Sequence, residues 1–184
     1  MLGMFKRKAP GPRLSYDESC RRIQPRHLEN GPIPPLPNQM PCADDDVLGV
    51  SFFRTLLEDA DDLADLTLPR TFFGRSEIHR TSFRNTDLTE SNLCWNEFKD
   101  VDFTDASLAR SDLRASQFTR VRFSSADLSN ADMRQSTFER CEFAGATMAG
   151  AVLTQAQGRL LSLSSKQRAE IAWTSDDGPE PSGG

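Results

Sequence analysis

Every fifth residue from Phe73 to Leu153 is large and apolar: Phe73, Ile78, Phe83, Leu88, Leu93, Phe98, Phe103, Leu108, Leu113, Phe118, Phe123, Leu128, Met133, Phe138, Phe143, Met148 and Leu153. Only 37% of the chain is hydrophobic, so an unbroken run at one spacing is a constraint and not an accident. The residue two places before each is small or medium, from Thr71 and Ser76 to Ala146 and Ala151. A period of five matches neither an α-helix, at about 3.6 residues per turn, nor a strand, at about 2.0. Each unit must therefore turn a corner and return the chain to an equivalent environment. Grouped in fours, the large residues read Phe-Ile-Phe-Leu, Leu-Phe-Phe-Leu, Leu-Phe-Phe-Leu and Met-Phe-Phe-Met, which closes one four-sided coil every twenty residues. Stacking the coils places Phe98, Phe118 and Phe138 in one column under Ile78, and Phe83, Phe103, Phe123 and Phe143 in the next.

Units such as ADLSN at 126–130, ADMRQ at 131–135 and SDLRA at 111–115 resemble the A(D/N)LXX motif of the pentapeptide-repeat family, over about residues 71–157. The resemblance implies an all-β fold, a right-handed quadrilateral β-helix, in a bacterial protein. Residues 47–70 read as an N-terminal cap or a degenerate first coil, because Leu63 and Leu68 keep the register and Glu58 breaks it. Residues 1–46 hold eight of the eleven prolines and read as a disordered, basic, Pro-rich tail. Its excess of Lys and Arg over residues 1–26 either screens the acidic stretch at 44–65 or contacts nucleic acid, the less favoured reading. Residues 158–174 read as a C-terminal cap with a short helix, marked by the capping-box pair Ser164 and Gln167, and 175–184 as a disordered end.

The chain of 184 residues has a net charge of -5. Its opening segment lacks the apolar run of a signal peptide, no stretch is long enough to span a membrane, and Cys20, Cys42, Cys94 and Cys141 fit no metal or disulfide spacing. A cytoplasmic, non-membrane protein with reduced thiols is expected. A filled solenoid offers no concave polar interior, His27 and His79 have no evident partner, and no nucleotide-binding or catalytic motif is present. No enzymatic activity, cofactor or metal is expected.

Function then falls to the flat outer sides. The register stacks Arg80, Asp100, Arg120 and Arg140 at one edge, and Arg114 and Arg134 on the neighbouring side, with Trp95 at a corner. These arginines and Trp95 form either a partner-binding edge or a surface neutralised by Asp100, Asp112, Asp132 and Glu139, with Trp95 packed under the N-terminal segment. Ile171 and Trp173 read equally as dimer contacts, as C-terminal helices serve in several family members, or as a cap on the last coil. The expected role is a protein-interaction module. The family's best-known activity, protecting DNA gyrase from quinolones through acidic DNA-mimicking rods, supplies the alternative of a topoisomerase-protecting or self-immunity protein. Against it, residues 71–157 carry 12 acidic and 10 basic side chains, where a duplex mimic needs about one negative charge per 1.7 Å.

Overall fold

The computed structural model describes residues 11–29, 50–58 and 63–175. Among these residues one helix, α1 (Tyr16–Glu29), precedes nine three-residue strands and two short helices. The strands are β1 (Ser51–Phe53), β2 (Leu56–Glu58), β3 (Phe72–Gly74), β4 (Glu77–His79), β5 (Glu97–Lys99), β6 (Gln117–Thr119), β7 (Thr137–Glu139), β8 (Val152–Thr154) and β9 (Ala172–Thr174). The helices α2 (Gln155–Leu160) and α3 (Ser165–Glu170) lie between β8 and β9. All strand pairs are parallel, and from β4 onward partners are twenty residues apart, as in Ile78 on Phe98 and Phe118 on Phe138. This is the right-handed quadrilateral β-helix expected from the repeats.

Twenty residues per coil lets each peptide group bond above and below. The Phe103 N–H donates to the Arg122 carbonyl at 2.8 Å and the Asp102 N–H to the Thr81 carbonyl at 3.1 Å, a pattern repeated along the rod. The interior is filled by the large column residues, and two aromatic stacks form as expected. Phe118 lies 5.0 Å from Phe98 and 5.1 Å from Phe138, with rings within 5° of parallel. Phe103 lies 5.0 Å from Phe83 and 5.4 Å from Phe123. Edge-to-face contacts such as Phe118 on Phe123 at 5.6 Å tie the stacks together, so burial is reinforced by favourable ring geometry.

The small inward positions are small for space and often polar for a second reason. Where the third and fourth sides end, a turn bond closes the corner, as from the Ala126 N–H to the Phe123 carbonyl. Where the first side ends, the column Ser76, Asn96, Ser116 and Ser136 substitutes: the Asn96 N–H donates to Ser116 Oγ, and Ser116 Oγ donates to the Leu93 carbonyl. Buried amides that lack a turn partner are thereby satisfied. Cys141 stands at an equivalent inward slot and directs its thiol at the Phe118 carbonyl.

Three expectations are corrected at the ends. Where described, the segment 47–70 is a first coil rather than a separate cap, irregular at one point, with Phe52, Leu57, Leu63 and Leu68 buried. Phe52 pairs with Phe73 and Leu57 with Ile78 at a spacing of twenty-one, so one extra residue between 57 and 63 shifts the register, and Leu57, not Glu58, faces inward. Within the expected tail, residues 11–29 are instead ordered on this coil. Leu14 N–H donates to the Asp65 carbonyl, Ser19 Oγ accepts from the Thr67 N–H, and Ile23 is buried in the core. The remainder of the expected tail, 1–10 and 30–46, lies outside the described residues, as does all of the expected disordered end except Ser175.

At the C-terminus two helices replace the single one expected. Both begin with capping boxes ten residues apart, Thr154 with Gln157 and Ser164 with Gln167. Each glutamine also turns its amide onto carbonyls that a further coil would have bonded: Gln157 to Met133 and Ser136, Gln167 to Phe143 and Ala146. The exposed edge of the ladder is closed by side chains, which removes a template for end-to-end association. The chain then returns as β9, with Trp173 registered on Leu153.

Candidate functional site

Every corner of the rod is a left-handed residue, and almost none is glycine: φ is 49° at Arg80, 56° at Asp100, 54° at Arg120 and 61° at Trp95. This conformation costs an L-residue roughly 1–2 kcal/mol. It stacks the corner side chains in columns, one per coil, with those of Arg80, Trp95 and Arg120 exposed and that of Asn85 buried against Gly11 and Asp65.

On the second side the expected basic edge is a ladder of ion pairs. Arg80 bonds Glu58 of the first coil, and Arg120 makes a two-pronged contact with Asp100, at 2.6 Å for both bonds. The Arg120 hydrogen bonds hold the Asp100 carboxyl below its ordinary value. Arg140, 73% exposed, has only a 3.6 Å contact with Glu139. The neighbouring sides repeat the theme. Arg114 and Arg134 fold back onto Asp112 and Asp132 of their own units at 2.8 Å, and Arg84 and Arg122 share Asp102. Burial pushes Asp102 up, but the Thr104 hydroxyl and N–H, then Arg84, outweigh it and hold its carboxyl below the usual range. Asp132 behaves likewise, with Arg134 overcoming burial. The carboxylates thus offset the stacked arginines, and the edge is zwitterionic.

Trp95 differs. It is 66% exposed, and its indole N–H has no described partner. The corner column that carries it reads Arg54, Arg75, Trp95, Ala115 and Gln135, with no carboxylate, and Arg75 makes no ion pair among the described residues. Its neighbours hold it rigidly. Asn96 is buried with its amide on the Phe73 and Cys94 carbonyls, and Leu93 is buried on the other side. Cys94 is half-buried, and burial first, then the Asp112 charge, raises its thiol. Trp95 does not pack under the described N-terminal residues, whose contacts fall on Ala64, Asp65, Thr67, Asn85 and Asp87.

Ile171 is buried within its own chain, and Trp173 is partly buried with its indole N–H on the Arg168 carbonyl, so both belong to the cap of the last coil. His79 is largely buried, its Nε2 3.6 Å from a Glu97 oxygen and without a hydrogen bond. Among the described residues no group of three His, Cys, Asp or Glu is placed to hold a metal ion, and no helix is long and apolar enough to cross a membrane. Sequence reasoning missed Arg75, whose place beside Trp95 was readable from the twenty-residue register, and Asp102, whose shared role was not.

A family model described as a pentapeptide repeat region matches residues 76–153. No sequence among the curated proteins matches the chain. Rfr23, a pentapeptide repeat protein from the cyanobacterium Cyanothece, is similar in structure, with 18% identity over 54% of this chain and 81% of its own and a TM-score of 0.51. HetL, a pentapeptide repeat protein involved in heterocyst differentiation regulation in the cyanobacterium Nostoc, shares 16% identity over 56% of this chain, with a TM-score of 0.47. That match spans 46% of HetL, about half its length. QnrB1, a plasmid-mediated fluoroquinolone resistance protein, shares 17% identity over 60% of this chain and 70% of its own, with a TM-score of 0.28. Such identities speak to fold alone, and of these three only the Rfr23 superposition is close enough to support it. Repeat motif, twenty-residue ladder and family match agree: residues 76–153 form a pentapeptide repeat region.

Proposed function

We propose that this chain is a non-enzymatic protein-interaction module, and that the corner column of its first side, centred on Trp95 and flanked by Arg75, is the contact surface. The observation that carries this reading is an exposed tryptophan held at φ 61°, where neither burial nor backbone preference accounts for it. Tryptophan and arginine are the residues most often found at binding hot spots. A rigid coil on either side means the ring is already positioned, so little conformational entropy is lost on binding. The interior, filled by stacked phenylalanines, leaves the outer sides to carry the function. The unpaired thiols of Cys20, Cys94 and Cys141 support placing the protein in a reducing, cytoplasmic setting.

The test is a quantitative pull-down from lysate with the intact chain and with Trp95→Ala, Arg75→Glu and Arg120→Ala. A partner whose retention falls about tenfold or more with Trp95→Ala and Arg75→Glu, and stays with Arg120→Ala, supports the reading. Equal retention by all four proteins contradicts it. If the retained partner is a topoisomerase, a supercoiling assay decides whether the chain relieves quinolone inhibition, as the protective alternative requires.

A further inference from the structure

Among the described residues most arginines of the coils are paired with carboxylates, and two arginines of the C-terminal cap, Arg159 and Arg168, are not. Between α2, α3 and β9 lies an open depression of about 280 Å3 lined by Gln155, Gly158, Arg159, Arg168 and Trp173. Its floor is built. The Trp173 ring lies directly on the Gly158 backbone, since a Cβ there would come within 2.3 Å of the ring, and the indole N–H is anchored on the Arg168 carbonyl. The Arg168 guanidinium is fixed in turn by the Gly158 and Leu161 carbonyls, at 3.0 and 2.9 Å. No carboxylate lines the depression, and neither Arg159 nor Arg168 makes an ion pair among the described residues. In the coils, by contrast, Arg80, Arg84, Arg110, Arg114, Arg120 and Arg134 are each paired. Beside Arg159, Leu160 is 82% exposed.

We infer that this depression binds an acidic, partly apolar segment of a partner protein, a carboxylate meeting Arg159 and Arg168 while an apolar side chain lies on Trp173. Arg168 is positioned by carbonyl oxygens that take up some of its N–H groups and leave its charge uncompensated, which favours an incoming anion. The aromatic floor selects a segment with apolar content over a free inorganic anion. This site stands apart from the Trp95 corner and does not depend on it.

The chain has two tryptophans, so Trp95→Phe leaves Trp173 as the sole indole reporter and removes the other proposed surface. In that background the full chain is titrated with an acetylated, amidated peptide of glutamates around one leucine, with a lysine counterpart as control. The expected result is a saturable change in Trp173 emission with the glutamate peptide only, weakening as salt rises, and about tenfold weaker with Arg159→Glu. Arg159 is exposed, so its substitution leaves the fold intact, which circular dichroism checks. No emission change, an equal response to the lysine peptide, or indifference to Arg159→Glu overturns the inference. So does a stronger response to a single-stranded oligonucleotide, which would make the ligand a nucleic acid. Binding by a chain ending at Ser175 but not by the full chain would also overturn it, giving the depression to the protein's own acidic end, which includes Asp176, Asp177 and Glu180.

Discussion

The first and second sides of the rod share one core and one backbone pattern, yet they treat their corners differently. On the second side the corner column reads Arg80, Asp100, Arg120 and Arg140, with Arg120 paired to Asp100 one coil away and Arg80 paired to Glu58 of the first coil. On the first side it reads Arg54, Arg75, Trp95, Ala115 and Gln135, with no carboxylate and a large exposed ring. A repeat multiplies whatever its surface carries, so like charges stacked at the ladder spacing must be offset along the column. The second side meets that requirement and is a self-contained surface. The first side has no such closure, and its aromatic is available to something else.

The comparison assumes a common rigid core, and the largest expected effect tests that. Phe118→Ala removes the middle of an aromatic stack whose neighbours are held by the ladder above and below, and should cost about 3–5 kcal/mol in chemical denaturation. A loss under about 1 kcal/mol would show that the coils relax around the gap. Next is the charge closure. Asp102 accepts from Thr104 and from two arginines, and Asp102→Ala should lose about 1–2 kcal/mol, whereas the exposed Arg120→Ala should leave the unfolding midpoint unchanged within error.

The smallest effect has the opposite sign. Gly145 and Gly150 occupy corners equivalent to that of Trp95, so Trp95→Gly relieves left-handed strain and should raise stability by about 0.5–1 kcal/mol while abolishing partner binding. A destabilised Trp95→Gly would mean that the ring is part of the fold. Acid sharpens the picture further. Asp100, Asp102 and Asp132 have depressed folded values, so the stability they contribute is present above the ordinary Asp value of about 3.9 and is lost as pH falls through the lower folded values. Denaturation midpoints measured from pH 6 to 2 should therefore drop most steeply below about pH 4, and less so in Asp102→Ala.

Much of this was legible because a solenoid writes its geometry into a period. Coil size, inward columns and aromatic stacks all follow from residues spaced by five. What broke the period was harder to read. Glu58 sits where an apolar residue should, and nothing in the pattern shows that Leu57 takes the slot by a one-residue slip. The N-terminal segment docks through scattered groups such as Leu14, Ser19 and Ile23, which leave no periodic sequence signature. The capping box at Ser164 was visible, but its twin at Thr154 was hidden because Leu153 still keeps the repeat register. At the candidate site the columns were readable, as was the presence of carboxylates nearby. Which arginine each carboxylate holds was not, since that depends on side-chain reach.

The most direct test of the central claim is site-specific photocrosslinking in cells, with a benzophenone amino acid placed in turn at position 95 and at position 120. A discrete adduct to one partner is expected from position 95 and none from position 120. No adduct from position 95, or the same adducts from both positions, would contradict it.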